Sequence, residues 1–218
     1  MNKNIGVIGS GIVGQVLANG FIKHGYDVMI GTQDPAKHAM LKEKTGGKAQ
    51  VGSFEATARF GGIVVLATKG TAAEAAVRTA GISTLKGKTV IDATNPIADT
   101  PPVNGVLQYF TTMNDSLMEQ LQRLVPGAHF VKAFSCVGNA FMVNPDFGGV
   151  KPTMFIAGNS EVAKAEVKGI LDQFGWETED LGKAEAARAI EPLCILWCIP
   201  GFLGNGWTHA FKLLKKQP

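Results

Sequence analysis

The sequence is poor in the residues that carry most acid–base and metal chemistry. It has 4 histidines and 3 cysteines in 218 residues. Cys136, Cys194 and Cys198 form no even disulfide framework, which points to a reducing compartment. Cys194 and Cys198 stand four apart on one face of an apolar stretch, but no further ligands fall near them. Structural thiols are expected there, and no metal site. His24 closes a helix, His38 lies in the next, His129 starts a strand and His209 lies in the tail. None falls at a predicted strand end beside a carboxylate, and no Gly-x-Ser-x-Gly elbow occurs. The apolar stretch Leu193–Phe202 is short and punctuated by Pro200 and Gly201, so it does not read as a membrane span. An excess of one charge is also lacking: the net charge is +3. That is too mild and too dispersed for nucleic acid. The one basic cluster, Lys212, Lys215 and Lys216, reads as the solvated end of a C-terminal helix. The chain opens straight into an apolar run, so no secretory leader is expected and the expected location is cytoplasmic.

What the chain does have is glycine in telling places. An apolar run ends at Gly9, and Gly9, Gly11 and Gly14 follow in Gly-x-Gly-x-x-Gly spacing. A helical pattern begins at once, with Ile12, Val13, Val16, Leu17 and Phe21 expected on one face. A second apolar run, Val28 to Ile30, follows at the distance of a βαβ unit. Strand, glycine turn and helix together read as a dinucleotide site formed by Gly9, Ser10, Gly11, Ile12, Val13 and Gly14. Gly9 permits the sharp turn, Gly11 the close approach of a pyrophosphate, and Gly14 the close packing of helix on strand. The helix start offers unpaired N–H groups to the phosphates.

The end of the second strand tells NAD from NADP. An acid there would hold the ribose 2′-hydroxyl. Here the strand ends Ile30-Gly31-Thr32-Gln33, with no acid among the last three. Thr32, Gln33 and Lys37 are therefore expected around a 2′-phosphate, and the expected cofactor is NADP. For Lys37 an ordinary solvated helix lysine is the alternative.

Strand-like segments at 62–67, 88–92, 129–134 and 152–157 alternate with helical patterns. Thr71 with Glu74, and Ser116 with Glu119, each match a helix-opening capping box. Pro101 to Phe110 is irregular and reads as a boundary or lid. The expected fold is a Rossmann-type, doubly wound α/β domain with a mostly parallel sheet. It covers residues 1–182, with a helical C-terminal extension at 183–218. In such sheets ligands lie at the carboxyl ends of the strands. That rule adds Ala67, Thr68, Lys69, Asn95 and Pro96 to the cofactor site, and Cys136 and Asn139 to the substrate side. Thr68, Lys69 and Asn95 equally suit turn and cap roles. With no acid–base constellation, hydride transfer between two redox cofactors suits the chain better than chemistry needing a proton donor.

The chain resembles the NADP-dependent reductases of the 5-deazaflavin coenzyme F420, a family that includes the reductase domain of membrane metalloreductases. The resemblance rests on Ile5-Gly-Val-Ile-Gly-Ser-Gly-Ile-Val-Gly, Val28-Met-Ile-Gly-Thr-Gln-Asp-Pro-Ala-Lys, Asp92-Ala-Thr-Asn-Pro, Val131-Lys-Ala-Phe-Ser-Cys-Val-Gly-Asn and Ala186-Ala-Arg-Ala-Ile-Glu-Pro-Leu. It implies that Thr32 takes the place of a phosphate-binding Ser and Lys37 that of a basic residue. Gln33 stands where the family has Arg, which weakens the NADP preference because the bidentate fork is lost. It also implies a flavin or deazaflavin as second substrate, stacked on the nicotinamide without a side-chain acid or base. The alternatives are an imine or carbonyl reductase and a non-catalytic nucleotide sensor. The partners expected are a small redox acceptor and a second copy of the chain, with neither nucleic acid nor membrane. The apolar tail from Ala184 to Leu214 is the expected dimer contact, unless it simply completes its own subunit's core.

Overall fold

A computed structural model describes residues 4–216; residues 1–3 and 217–218, the outer ends of the two expected domains, lie outside the described residues. Eight strands form one sheet in the order β3-β2-β1-β4-β5-β6-β7-β8. They are β1 (Asn4–Ile8), β2 (Asp27–Gly31), β3 (Gln50–Gly52), β4 (Ile63–Leu66), β5 (Thr89–Asp92), β6 (His129–Lys132), β7 (Thr153–Gly158) and β8 (Glu177–Asp180). Strands β1 to β6 are parallel, β7 runs antiparallel to β6, and β8 runs parallel to β7. The helices are α1 (Ile12–Lys23), α2 (His38–Lys44), α3 (Phe54–Phe60), α4 (Ala73–Ala80), α5 (Ile82–Leu85), α6 (Leu117–Leu124), α7 (Glu161–Gln173), α8 (Ala187–Ile190) and α9 (Pro192–Phe202). The fold is the expected doubly wound, mostly parallel α/β sheet, with a helical C-terminal segment.

The continuous apolar strands are explained by burial on both faces. Successive residues of β4 divide between two cores. Ile63 and Val65 join Leu17 and Phe21 of α1 and Val167, Ile170 and Leu171 of α7. Val64 and Leu66 join Ala58 of α3, Ala76 and Val77 of α4 and Leu121 of α6. The order of the sheet reverses between β1 and β4, and that reversal opens a crevice at their carboxyl ends.

Four expectations need correction. Ile12 is not on the buried face of α1; it is 61% exposed, beside the glycine turn. Thr71 does not cap a helix. The chain first makes a 3-10 turn at Gly70–Ala72, α4 has no side-chain cap, and Glu74 instead pairs with Arg78 at 2.8 Å. Pro101 to Phe110 is no domain boundary, because β5 and β6 on either side of it are neighbours in one sheet. The segment folds back on itself through bridges Ile97–Tyr109 and Val103–Val106. Finally, the helical tail, expected to be broken near Pro200-Gly201, does not resume after that break among the described residues. It stops at Phe202, and Gly204 and Gly206 adopt φ of 84° and 87°. The rest runs along the sheet edge, where Thr153 N–H donates to Phe211 O and Lys212 and Lys215 pair with Glu177 and Glu179 of β8, each at 2.6 Å. These lysines are partners of an acidic edge strand rather than a helix end. The Ser116–Glu119 capping box is present in both directions.

Candidate functional site

The three glycines of the first turn divide by what they touch. Gly9 has φ of 122°, and a Cβ there would overlap the Ala67 carbonyl. A Cβ on Gly14 would overlap the Gly9 carbonyl. Both are dictated by the fold. Gly11 is different: its backbone is extended, and a Cβ would meet nothing within 4 Å. It is the N-cap of α1, with no side-chain cap and no acid in the first turn, so the helix's first N–H groups face an open cradle. Gln15 Nε2 donates to Ser10 O at 2.9 Å and braces that cradle. Exposed Ile12 and half-buried Val13 form the start of α1 beside it.

The end of β2 joins the same place. Ser10 Oγ donates to Thr32 Oγ1 at 3.2 Å, and Asp34 N–H donates to the same hydroxyl at 3.2 Å. Asp34 caps the following turn by accepting from Ala36 N–H at 3.0 Å, so its carboxylate is engaged locally. Gln33 and Lys37 are exposed beside it.

At the ends of the next three strands, polar atoms are buried without hydrogen-bond partners: Thr68 Oγ1 after β4, Asn95 Oδ1 after β5 and Ser135 Oγ after β6. Each such atom costs about 1–3 kcal/mol unless something satisfies it. Asn95 Nδ2 is engaged, donating to Ser135 O at 3.1 Å. Phe134, just before Ser135, holds φ of 63°, a left-handed conformation that a bulky residue adopts only when its surroundings impose it. Pro96 is buried beneath Asn95, and Lys69 is exposed and paired with Asp99 on the folded-back segment. Asn139 is half-buried at the start of a 3-10 turn, and the preceding Gly138 lies so close to Trp197 of α9 that a Cβ would overlap the indole. Cys136 is 2% exposed. Its thiol lies against the Phe155 backbone and is pushed up to about 12, chiefly by burial. The structure thus gathers the glycine turn, Thr32, Ala67, Thr68, Asn95 and Asn139 at the carboxyl ends of the parallel strands, and keeps the Cys136 thiol inside.

Sequence reasoning missed the groups just beneath. Lys132 is fully buried, and its ammonium donates to Asp92 Oδ2 at 2.9 Å, Glu191 Oε1 at 2.9 Å and Thr94 O at 2.6 Å. Burial alone would lower its pKa, but Asp92 and Glu191 together raise it. Glu191 also accepts from the Leu117 and Met118 N–H groups, both at 3.0 Å, at the start of α6. The available signal was a lone Lys132 and a lone Asp92, each closing a short strand after two apolar residues. Ser135 lay in a segment already placed at a strand end, without being singled out.

The model of the family described as NADP oxidoreductase, coenzyme F420-dependent, matches residues 4–96. Over the whole chain the fold matches the crystal structure of a candidate F420-dependent NADP-reductase from Arthrobacter sp. FB24. The TM-score is 0.89 at 31% identity, covering 98% of this chain and 99% of that one. The chain belongs to this NADP oxidoreductase family. It is also 27% identical over 212 residues to metalloreductase STEAP3 of Rattus norvegicus, covering 95% of this chain. With an NADPH-dependent reductive aminase of Aspergillus oryzae it shares 26% identity over 215 residues, or 99% of this chain. It spans 40% of the length of the first and 65% of the second. The family match takes in the glycine turn, Thr32 to Lys37, Thr68 and Asn95, and ends at Pro96. Lys132, Ser135 and Glu191 lie beyond it. Among the described residues no helix is long and apolar enough to cross a membrane, and no group of three or more His, Cys, Asp or Glu is placed to hold a metal.

Proposed function

We propose that the protein passes hydride between NADP(H) and a flat ring acceptor of the flavin or deazaflavin class. The observation that carries this reading is the row of unsatisfied polar atoms, Thr68 Oγ1, Asn95 Oδ1 and Ser135 Oγ, at three successive strand ends. They suit a ring bearing a carboxamide. Gly11 and the start of α1 suit the pyrophosphate. Thr32 and Lys37 suit the 2′-phosphate, with Gln33 beside them. Bound there, NADPH supplies the hydride. The chain's own part is to orient the ring and exclude water, with Gly138, Asn139 and Trp197 forming the acceptor side.

No side chain is assigned as acid or base. The Cys136 thiol is too weak an acid at about 12. The Tyr109 hydroxyl is raised well above its ordinary value, first by burial and then by Cys194, and it donates to Glu191 O at 2.6 Å. A second reading, imine or carbonyl reduction, is favoured by the likeness to the reductive aminase over 99% of the chain. A third, nucleotide sensing without turnover, needs only the glycine turn. Anaerobic single-turnover oxidation of NADPH against flavins, the deazaflavin, a cyclic imine and a small ketone separates them. Oxidation by the ring acceptors alone supports the first reading. Oxidation by the imine or ketone alone selects the second, and binding without oxidation the third.

We also propose a homodimer through α9. This helix carries no charge and buries only Cys194 and Trp197, leaving Leu196 and Phe202 at 55% and 44% exposed. A helix apolar all round is normally covered. A monomer by light scattering at micromolar concentration overturns this. A cytoplasmic location remains part of the same reading, to be tested by fractionation.

A further inference from the structure

The segments around Asp92, Lys132 and Glu191, three of those that carry the family resemblance, meet in one buried cluster. We propose that Lys132 is a positioning residue: the cluster exists to aim Asn95 Oδ1 at the carboxamide of the nicotinamide. This rests on the NADP reading above.

The geometry leaves Asn95 little freedom. Thr94, the residue before it, is held from both sides. Its N–H and hydroxyl donate to Asp92 Oδ1 at 3.0 and 2.6 Å, and its carbonyl accepts from Lys132. On the other side the Asn95 carbonyl lies against Gly70 so closely that a Cβ there would overlap it. The Asn95 amide nitrogen donates to Ser135 O. What remains is one buried acceptor, Asn95 Oδ1, pointing at no donor of the chain. A primary carboxamide supplies the missing N–H.

The cluster is closed in every other respect. All three ammonium protons of Lys132 are engaged, by Asp92, Thr94 and Glu191. Lys132 therefore has no free proton to direct at a ligand. Two carboxylates against one ammonium leave a formal negative charge, and Glu191 places it on the N–H groups that open α6, where the helix dipole favours it. Apolar residues of similar volume can often replace a buried ion cluster with no loss of stability. Apolar residues could not hold the Thr94 carbonyl. Glu191 also leads directly into α9, whose Trp197 packs on Gly138. One cluster thus ties the nicotinamide end to the acceptor wall.

The test compares calorimetric binding of NADP and of 2′-phospho-ADP-ribose, which lacks the nicotinamide. Asn95→Ala is expected to weaken NADP about tenfold and the nicotinamide-free ligand less than about twofold. Lys132→Met and Glu191→Gln are expected to repeat this selective loss, and to add nothing when combined with Asn95→Ala, as a shared interaction requires. Glu191→Gln keeps the Lys132–Asp92 pair, so it decides the matter if Lys132→Met does not fold. Equal weakening of both ligands, no weakening of either, or simple additivity with Asn95→Ala overturns the proposal. If the wild-type protein binds the nicotinamide-free ligand but gains nothing from the nicotinamide, the positioning role falls and the glycine-turn site stands. If it binds neither, the NADP reading itself falls.

Discussion

At the glycine turn the chain presents backbone to the crevice; at the ends of β4, β5 and β6 it presents side-chain atoms. Gly9, Gly11 and Gly14 act by what they lack, and all three lie within six consecutive residues. Thr68, Asn95 and Ser135 offer atoms that must be aimed, and Lys132, held by Glu191 from far along the chain, fixes the Thr94 carbonyl just before Asn95. The first end needs room. The second needs satisfied partners behind it, and that makes it the more easily mis-set of the two. An anion met by backbone N–H groups tolerates many sequences, whereas a ring that must lie in one orientation requires a fixed donor–acceptor pattern.

The largest contrast is expected within the glycine turn. Gly14→Ala drives a methyl into the Gly9 carbonyl and should cost about 3 kcal/mol or more in denaturant unfolding, as overpacking against backbone does. Gly11→Val faces open space, so its melting curve should match the wild type while calorimetry shows NADP and NAD binding abolished. Unchanged affinity in the folded Gly11 variant would remove the pyrophosphate from this turn.

Lys37→Ala should come next. A charge-assisted contact to phosphate is worth about 1.5–3 kcal/mol, so NADP affinity falls by that amount and NAD affinity does not move. Equal loss for both nucleotides, or a wild-type preference for NAD, returns Lys37 to the role of a solvated surface residue.

At the side-chain end, acid should loosen α8 from α6. Arg188 donates to Glu119 at 2.6 Å, and Ser116 donates to the same carboxylate at 2.7 Å. Burial would raise the pKa of Glu119, but these donors outweigh it and hold it at about 2. The folded value lies below the unfolded one. The contribution is therefore complete above the ordinary value of 4.5 and is lost as pH falls from there toward about 2. Glu119→Gln should flatten the stability profile in that window; an unaltered acid limb would mean the pair contributes nothing.

The smallest effects are expected from the titratable groups that look most catalytic. Alanine at Cys136, His24, His38, His129 or His209 should leave the single-turnover hydride rate within about tenfold. His24 meets Asn144 at 3.0 Å and His209 stacks on Trp197, both contacts internal to the fold. A thousandfold loss at any of these positions would place the chain with reductases that protonate an imine or carbonyl.

The first βαβ unit with its glycine turn was legible because its signals are local. A glycine spacing, an apolar run and a missing acid within about thirty residues describe a βαβ unit, whose geometry the backbone enforces by itself. The Ser116–Glu119 cap was legible for the same reason. Thr71 with Glu74 carried the same pattern and failed, because Gly70 must pack against the Asn95 carbonyl and the chain turns there before the helix can start. The edge strand β8 was illegible: Glu177, Thr178, Glu179 and Asp180 carry no apolar alternation, and their partners are tail lysines more than thirty residues away. The sequence by itself determined most of the sheet and the glycine turn at its crevice, since those follow from periodicity and from the space around glycine. Only the tertiary structure decided which charges are buried and which polar atoms are left unsatisfied. Asp92, Lys132 and Glu191 are ordinary charged residues until three distant segments exclude water around them, and pairing in the absence of water depends on who the neighbours are, not on spacing along the chain.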